Sequence, residues 1–192
     1  ILVTHDLREA TYLADRVGGP VWLKCENLQV AGSFKVRGAH VRLSRLTPEQ
    51  RAVGVVAASA GNHAQGVAKA ARGLGIATTV FMPVGAPLPK LAATRAYGAE
   101  IVTVGRTIDD ALVAATEFSE RTGAVLIHPF DHEDIVVGQG TVGLEILDQV
   151  PDGHDQRRVS DDRPPPLLAA GEPTERPEVV LGPGLGHGAG GP

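Results

Sequence analysis

Residues 1–153 predict an α/β protein, a parallel sheet with helices on both faces. Two observations carry this fold class. Five short β-rich runs alternate with five helical patterns along the stretch, and strands separated by helices pair in parallel through right-handed crossovers. Composition also changes sharply near Gly153, which marks where the regular pattern ends.

The elements follow in order. A strand is expected at 21–25, where apolar Trp22 and Leu23 precede Cys25, read as a packed thiol rather than a nucleophile. A helix at 34–46, a strand at 54–58, a helix at 62–73, a strand at 78–82 and a helix at 87–97 come next. In the helices Ala, Leu, Val and Ile recur at three- and four-residue intervals. Lys90 and Arg95 of the 87–97 segment read as a solvated face. After a strand at 101–104, the helix at 107–121 is the clearest. There Ile108, Ala111, Leu112 and Ala115 line one face, while Asp109, Asp110, Glu117 and Glu120 take the other. A strand at 125–128 and a helix at 139–149 complete the series.

Residues 154–192 hold 7 Pro and 7 Gly among 39 positions and contain no Lys and no aromatic residue. Such a segment buries too little apolar surface to offset its chain entropy, so a disordered tail is expected. Glu178-Val179-Val180-Leu181 is the one run in it suited to an edge strand.

Charge and cysteine content narrow the function. With 18 Lys plus Arg against 22 Asp plus Glu, the formal charge is −4, which offers no general nucleic-acid-binding surface. The single cysteine excludes an internal disulfide and a multi-cysteine zinc site, and it fits a reducing compartment, with the cytoplasm as the expected location. The longest nearly apolar stretch, 53–60, falls far short of the roughly 20 residues that span a bilayer, so no membrane partner is expected.

In open parallel sheets ligands gather at the carboxyl ends of strands, and three loops there carry chemistry. In Gly32-Ser33-Phe34-Lys35, Ser33 reads as an N-cap and Lys35 falls in the first turn of a helix. The macrodipole disfavours a cation there and helps keep the amine neutral, able to form a Schiff base with a carbonyl cofactor. An ordinary exposed lysine is the simpler account of Lys35 taken alone. In Ser59-Ala60-Gly61-Asn62-His63-Ala64-Gln65-Gly66, a strand turns into a helix whose free N–H groups suit a carboxylate or phosphate. Gly61 permits close approach, Asn62 offers donor and acceptor, and Ser59 offers a hydroxyl; the plainer alternative makes Ser59 or Asn62 a cap and His63 a polar first-turn residue. Neither a dinucleotide fingerprint nor a P-loop is present. In Pro129-Phe130-Asp131-His132-Glu133-Asp134, followed by Gly138-Gln139-Gly140-Thr141, the acidic cluster lacks the ligand spacing of a metal site. It reads as a polar loop leading into a helix, its glycines easing passage past a neighbour.

Several motifs together carry a resemblance. Lys24-Cys25-Glu26-Asn27-Leu28-Gln29, Gly32-Ser33-Phe34-Lys35-Val36-Arg37-Gly38-Ala39 and the Ser59–Gly66 run resemble threonine dehydratase (threonine ammonia-lyase). So do Gly98-Ala99-Glu100, Pro129-Phe130-Asp131 and Gly138-Gln139-Gly140-Thr141-Val142-Gly143-Leu144-Glu145, in the family's order from about residue 10 to 150. The resemblance implies the N-terminal part of a tryptophan synthase β-like fold, with pyridoxal 5'-phosphate as cofactor. It implies that Lys35 bonds the cofactor and later acts as an acid/base, that Phe34 packs beside it, and that Asn62 bonds its 3-hydroxyl. Ser59, Gly61, Asn62 and His63 would hold the substrate carboxylate. The implied reaction turns L-threonine into 2-oxobutanoate and ammonia, in amino-acid metabolism and isoleucine biosynthesis, with L-serine as a second substrate and homo-oligomerisation left open. Serine racemase is similar but carries serine where Ala60 stands, which disfavours racemisation here.

The chain departs from the family after about residue 150, where a glycine-rich phosphate loop would follow. Val179-Val180-Leu181-Gly182-Pro183-Gly184 is not equivalent, because Pro183 removes a donor. The expectation is a chain truncated at its C-terminal side, with residues 1–153 as the cofactor-dependent region and 154–192 as a tail of frameshift or cloning origin. The competing expectation is a catalytically inactive fragment that acts only as a folded or partner-binding domain.

Overall fold

A computed structural model of the chain describes residues 2–4, 8, 12 and 22–150. The tail expected at 154–192, the edge strand at 178–181 and residue 21 of the first strand lie outside the described residues. The chain divides into two compact units, one of Ile1–Glu26 and Gly143–Pro192 and the other of Asn27–Val142.

In the first unit β1 (Leu2–Thr4), for which no signal was read, pairs in parallel with β2 (Leu23–Cys25), Leu2 opposite Leu23. Buried Lys24 meets the Glu145 carboxylate at 2.7 Å and donates to Gln149 Oε1 at 2.9 Å. Cys25 is partly buried, and burial raises its thiol pKa despite the opposing charge of Lys24, in keeping with a packed thiol.

The second unit runs through α1 (Lys35–Ser44), α2 (Pro48–Val53), β3 (Val55–Ala58), α3 (Asn62–Leu74), β4 (Thr78–Met82), α4 (Leu88–Ala96), β5 (Glu100–Thr103), α5 (Ile108–Thr122) and β6 (Val125–Leu126). Helix α6 (Glu133–Gln149) begins in this unit and ends in the first. The sheet has the order β5-β4-β3-β6 and is parallel throughout, with Val55 opposite both Thr78 and Val125.

Alternation along the central strand explains why both faces are covered. Val55 and Ala57 join Leu43, Val67, Ala71 and Ile127 in one core. Val56 and Ala58 join Phe81, Ala111 and Ala115 in another. On β4, Val80 and Met82 join Ala64 and Ala68. Successive strand residues point to opposite faces, and each buried Val or Leu contributes about 1.5–3 kcal/mol. A strand buried on both sides thus reads as the continuous apolar run Val55-Val56-Ala57-Ala58.

Two differences from the expected elements have local causes. Helix α2 was not anticipated, although Thr47 and Gln50 form a reciprocal capping box with Pro48 at the first helical position. Helix α6 starts at Glu133 rather than near 139, passing through Gly138 and Gly140. Glycine costs about 1 kcal/mol relative to alanine in a helix, but Gly138 has a packing reason to be there. A Cβ on it would stand 2.6 Å from both Arg37 O and Gly38 Cα.

Candidate active site

The sheet order fixes where a site belongs. From β3 the chain moves outward to β4 and β5, then returns beneath α5 to place β6 on the other side of β3. The strand order thus reverses between β3 and β6, and such a switch point, at the carboxyl ends of the strands, is where open α/β sheets bind ligands. Residues 59–62 leave β3 and residues 127–132 leave β6, and Lys35 reaches the second of these loops through Pro129 O.

Lys35 is the first residue of α1. Its Nζ donates to Pro129 O at 2.8 Å and lies 5.4 Å from the Phe34 ring centroid. Burial pushes its amine below the ordinary value, a different cause from the macrodipole inferred from sequence. Ser33 is not the N-cap as expected. Phe34 occupies that position, and the buried Ser33 hydroxyl accepts from Lys35 N–H at 3.3 Å, turning the chain one residue earlier. Gly66 lets α3 cross close to this point, because a Cβ there would stand 3.0 Å from the Lys35 carbonyl carbon.

The loop after β3 ends in Gly61, the N-cap of α3, and no side chain caps this helix. Ser59 Oγ instead accepts from Gly61 N–H at 3.1 Å. Around the Cβ position of Gly61 nothing lies within 4 Å. His63 is 5 % exposed and its Nε2 bonds Ile127 O at 2.9 Å. A carbonyl only accepts, so Nε2 carries the proton of the neutral ring. Burial is the main cause lowering the His63 pKa to about 4; the Ile127 carbonyl opposes it, and the charges of Lys35 and His128 add to it. The polar first-turn histidine of the plainer account is thus a buried one. Asn62 Oδ1 accepts from Lys90 Nζ at 2.6 Å, so Lys90 is not the solvated side chain that its helix pattern predicted.

The third loop is held by its own side chains. Pro129 O also accepts from Gln139 Nε2 at 3.3 Å, and His128 Nδ1 accepts from Asp131 N–H at 2.8 Å. Exposed Phe130 meets the His128 ring edge-on at 4.6 Å. Asp134 is buried and accepts from Arg45 at 2.6 Å and Arg42 at 3.3 Å. Burial opposes its ionisation, but the Arg45 hydrogen bond and the Arg45, His132 and Arg42 charges outweigh that and hold the carboxyl below its ordinary value. Among the described residues no group of three or more His, Cys, Asp and Glu is arranged to hold a metal ion. The expected close passage of the glycines is realised where Gly138 meets Arg37 and Gly38. Arg37 also reaches Thr141 Oγ1 at 3.1 Å, a link that no local pattern signalled.

Lys35, Phe34, Ser59, Gly61, Asn62 and His63 all lie in the Asn27–Val142 unit. Lys35 and His63 are tied to carbonyls two residues apart on one segment, Pro129 and Ile127.

The family model for pyridoxal-phosphate dependent enzymes matches residues 5–159. The L-threonine ammonia-lyase of Thermotoga maritima is 50% identical over 146 residues, which are 76% of this chain and 36% of that protein. The processed form of threonine deaminase isoform 2 from Solanum lycopersicum superposes with a TM-score of 0.69 at 44% identity, covering 73% of this chain and 39% of that one. Maize serine racemase superposes with a TM-score of 0.69 at 40% identity, covering 74% and 44%. The chain spans little more than a third of the length of the curated relatives it matches. The matched span and the level of identity place this chain in the family of pyridoxal-phosphate dependent enzymes.

Proposed function

We propose that this chain carries the cofactor-bonding and substrate-holding residues of a lyase that converts L-threonine to 2-oxobutanoate and ammonia, with L-serine as a second substrate. The observation that carries it is the Lys35 amine, lowered by burial and parked on Pro129 O beside the Phe34 ring. The residues fit the family's cofactor. A lysine with lowered proton affinity suits an aldehyde, and nothing lies within 4 Å of the Cβ position of Gly61 at the start of α3. When bound, pyridoxal phosphate supplies the electron sink for charge developing at the substrate α-carbon.

Lys35 would hold the cofactor aldehyde through its Nζ, and the same amine would serve as the base for the substrate α-proton. Phe34 would pack beside the cofactor, and Asn62 would bond its 3-hydroxyl. Ser59 Oγ already accepts from Gly61 N–H, which leaves its hydroxyl hydrogen to donate to the substrate carboxylate. The backbone N–H groups of Asn62 and His63 add donors at the positive end of α3. The His63 ring is engaged by Ile127, so this residue serves the carboxylate through its backbone. Ala60 packs against the core that contains Ala64 and Val80 and offers no ionisable group, which favours a lyase over a racemase.

The same proposal assigns this chemistry to residues 1–153, with 154–192 as a separate tail, in a cytoplasmic protein compatible with homo-oligomerisation. Among the described residues no helix is long and apolar enough to cross a membrane. The test is to mix the purified chain with pyridoxal phosphate, reduce with borohydride and map the adduct by peptide mass. An adduct confined to Lys35 and absent from Lys35→Ala, together with 2-oxobutanoate formation from threonine, is expected. No selective adduct at Lys35 would overturn the proposal and favour the inactive-fragment alternative.

A further inference from the structure

Asn62 has its amide oriented by a neighbour. Lys90 Nζ donates to Asn62 Oδ1 at 2.6 Å, a short charge-assisted bond. A lysine ammonium has three donors and no acceptor, so the flipped amide would set two donors against each other. The amide orientation is therefore dictated from outside, with Oδ1 turned to Lys90 and Nδ2 turned away from it.

The placement of Lys90 is not explained by its own helix. It stands in the first turn of α4, where the macrodipole disfavours a cation. The backbone around it is nonetheless well held. Lys90 N–H donates to Pro87 O at 2.9 Å, and the fully buried Thr94 donates its hydroxyl to Lys90 O at 2.8 Å. Its neighbour Leu91 packs into the core shared with Ala64 and Ala68 of α3. Helix α4 is thus fixed against the helix that Asn62 begins, and the lysine side chain spans from one to the other.

We infer that Lys90 is a positioning residue that holds Asn62 Oδ1 toward α4 and leaves Nδ2 as the group presented to a ligand, so that the site favours a ligand oxygen carrying no proton. Resting on the function proposed above, that oxygen is the cofactor's 3-oxygen in its deprotonated form. Lys90 touches neither cofactor nor substrate and acts through the amide alone.

The test titrates pyridoxal phosphate into the full chain and reads two quantities, the apparent affinity and the ratio of absorbance bands. Lysine-bonded pyridoxal phosphate absorbs at longer wavelength with its ring oxygen deprotonated and at shorter wavelength with it protonated. Lys90→Met is expected to lower the long-to-short ratio and the affinity by about tenfold each, the scale of one hydrogen bond to a charged group. Lys90→Arg keeps a donor and restores most of both. Asn62→Asp keeps a partner for Lys90 while removing the amide donor, so it should remain folded by circular dichroism and lose the long-wavelength preference. In an Asn62→Leu background, Lys90→Met should have no further effect. Wild-type ratios in Lys90→Met or Asn62→Asp, or an equal Lys90→Met shift in the Asn62→Leu background, would overturn the inference while a Lys35 adduct left the proposed function standing. Failure of the wild-type chain to form that adduct would overturn both.

Discussion

Helices α3 and α5 both begin where the chain leaves a strand of the same sheet, yet their first turns are finished in opposite ways. At α5, Thr107 Oγ1 accepts from Asp110 N–H at 3.1 Å, and Asp110 Oδ2 accepts from the N–H groups of Arg106 at 2.8 Å and Thr107 at 2.9 Å. The bonds from Arg106 and Thr107 also hold the Asp110 carboxyl below its ordinary pKa. The chain itself thus satisfies its donors. At α3 the cap is Gly61, no side chain covers the end, and the space beside it is open. One end closes on itself while the other is left for something else. Of the two, only the open end lies at the switch point between β3 and β6.

The largest effect is expected where the open end is held in place. Gly138 sits against the backbone of α1, with Arg37 O and Gly38 Cα 2.6 Å from where a Cβ would be. Gly138→Ala must push α6 away from α1, because neither contact is a flexible side chain. Overpacking of this kind costs about 1–3 kcal/mol, and two rigid backbone contacts put Gly138→Ala at the upper end. Urea unfolding should show the loss. A change below about 0.5 kcal/mol, the scale of neutral surface substitutions, would mean that the two helices are not bound to this spacing.

Next in size is the pH response of His63. Its pKa falls from an ordinary 6.5 to about 4 in the folded chain, chiefly by burial. The unfolded chain therefore binds more protons between these values, and stability falls as pH drops through that window. The loss is up to about 3 kcal/mol, at 1.36 kcal/mol for each pH unit. His63→Gln keeps an N–H for Ile127 without titrating, so its stability should fall less over the same range. Asp134 acts in a separate window. Its lowered pKa means that its contribution is lost only at more acid pH, as the solution passes below the ordinary carboxylate range. Equal pH slopes for wild type and His63→Gln between pH 6.5 and 4 would show that the buried ring does not control this response.

Most of this architecture was legible in the sequence because its signals are local. The run of apolar residues in β3 and the face pattern of α5 each lie within one window, and both elements fall where they were expected. Lys35 and the Ser59–His63 loop were also legible, as residue types at the entrance to helices. The rest depends on partners far along the chain. Lys90 meets Asn62 across 28 residues, Arg37 meets Thr141 across 104, and Lys35 meets Pro129 across 94. A helix pattern records only the face that Lys90 occupies on α4 and cannot say what that face meets. Likewise Gly138 speaks for a loop by propensity, whereas contact with α1 favours glycine at that point inside a helix. Helix α2 is a different case, since its Thr47-Pro48-Glu49-Gln50 signal is wholly local.

The smallest effects sharpen the contrast between the two helix ends most directly. Thr107→Ala removes the α5 cap and should cost about 1 kcal/mol, the usual value of such a cap, with no change in the Lys35 adduct. Gly61→Ala should do the reverse. Gly61 has φ −138°, which any residue adopts, and its Cβ would meet nothing within 4 Å. Stability should therefore change by only a few tenths of a kcal/mol. The new methyl group nevertheless stands in the space that a ligand would use, so adduct yield at limiting pyridoxal phosphate should drop. Measured side by side, the two variants separate stability from binding at positions that are equivalent in the chain's local geometry. If Gly61→Ala retained full adduct formation, the open space beside α3 would have no part in holding the cofactor. The difference between the two ends would then reflect only how each helix happens to be capped.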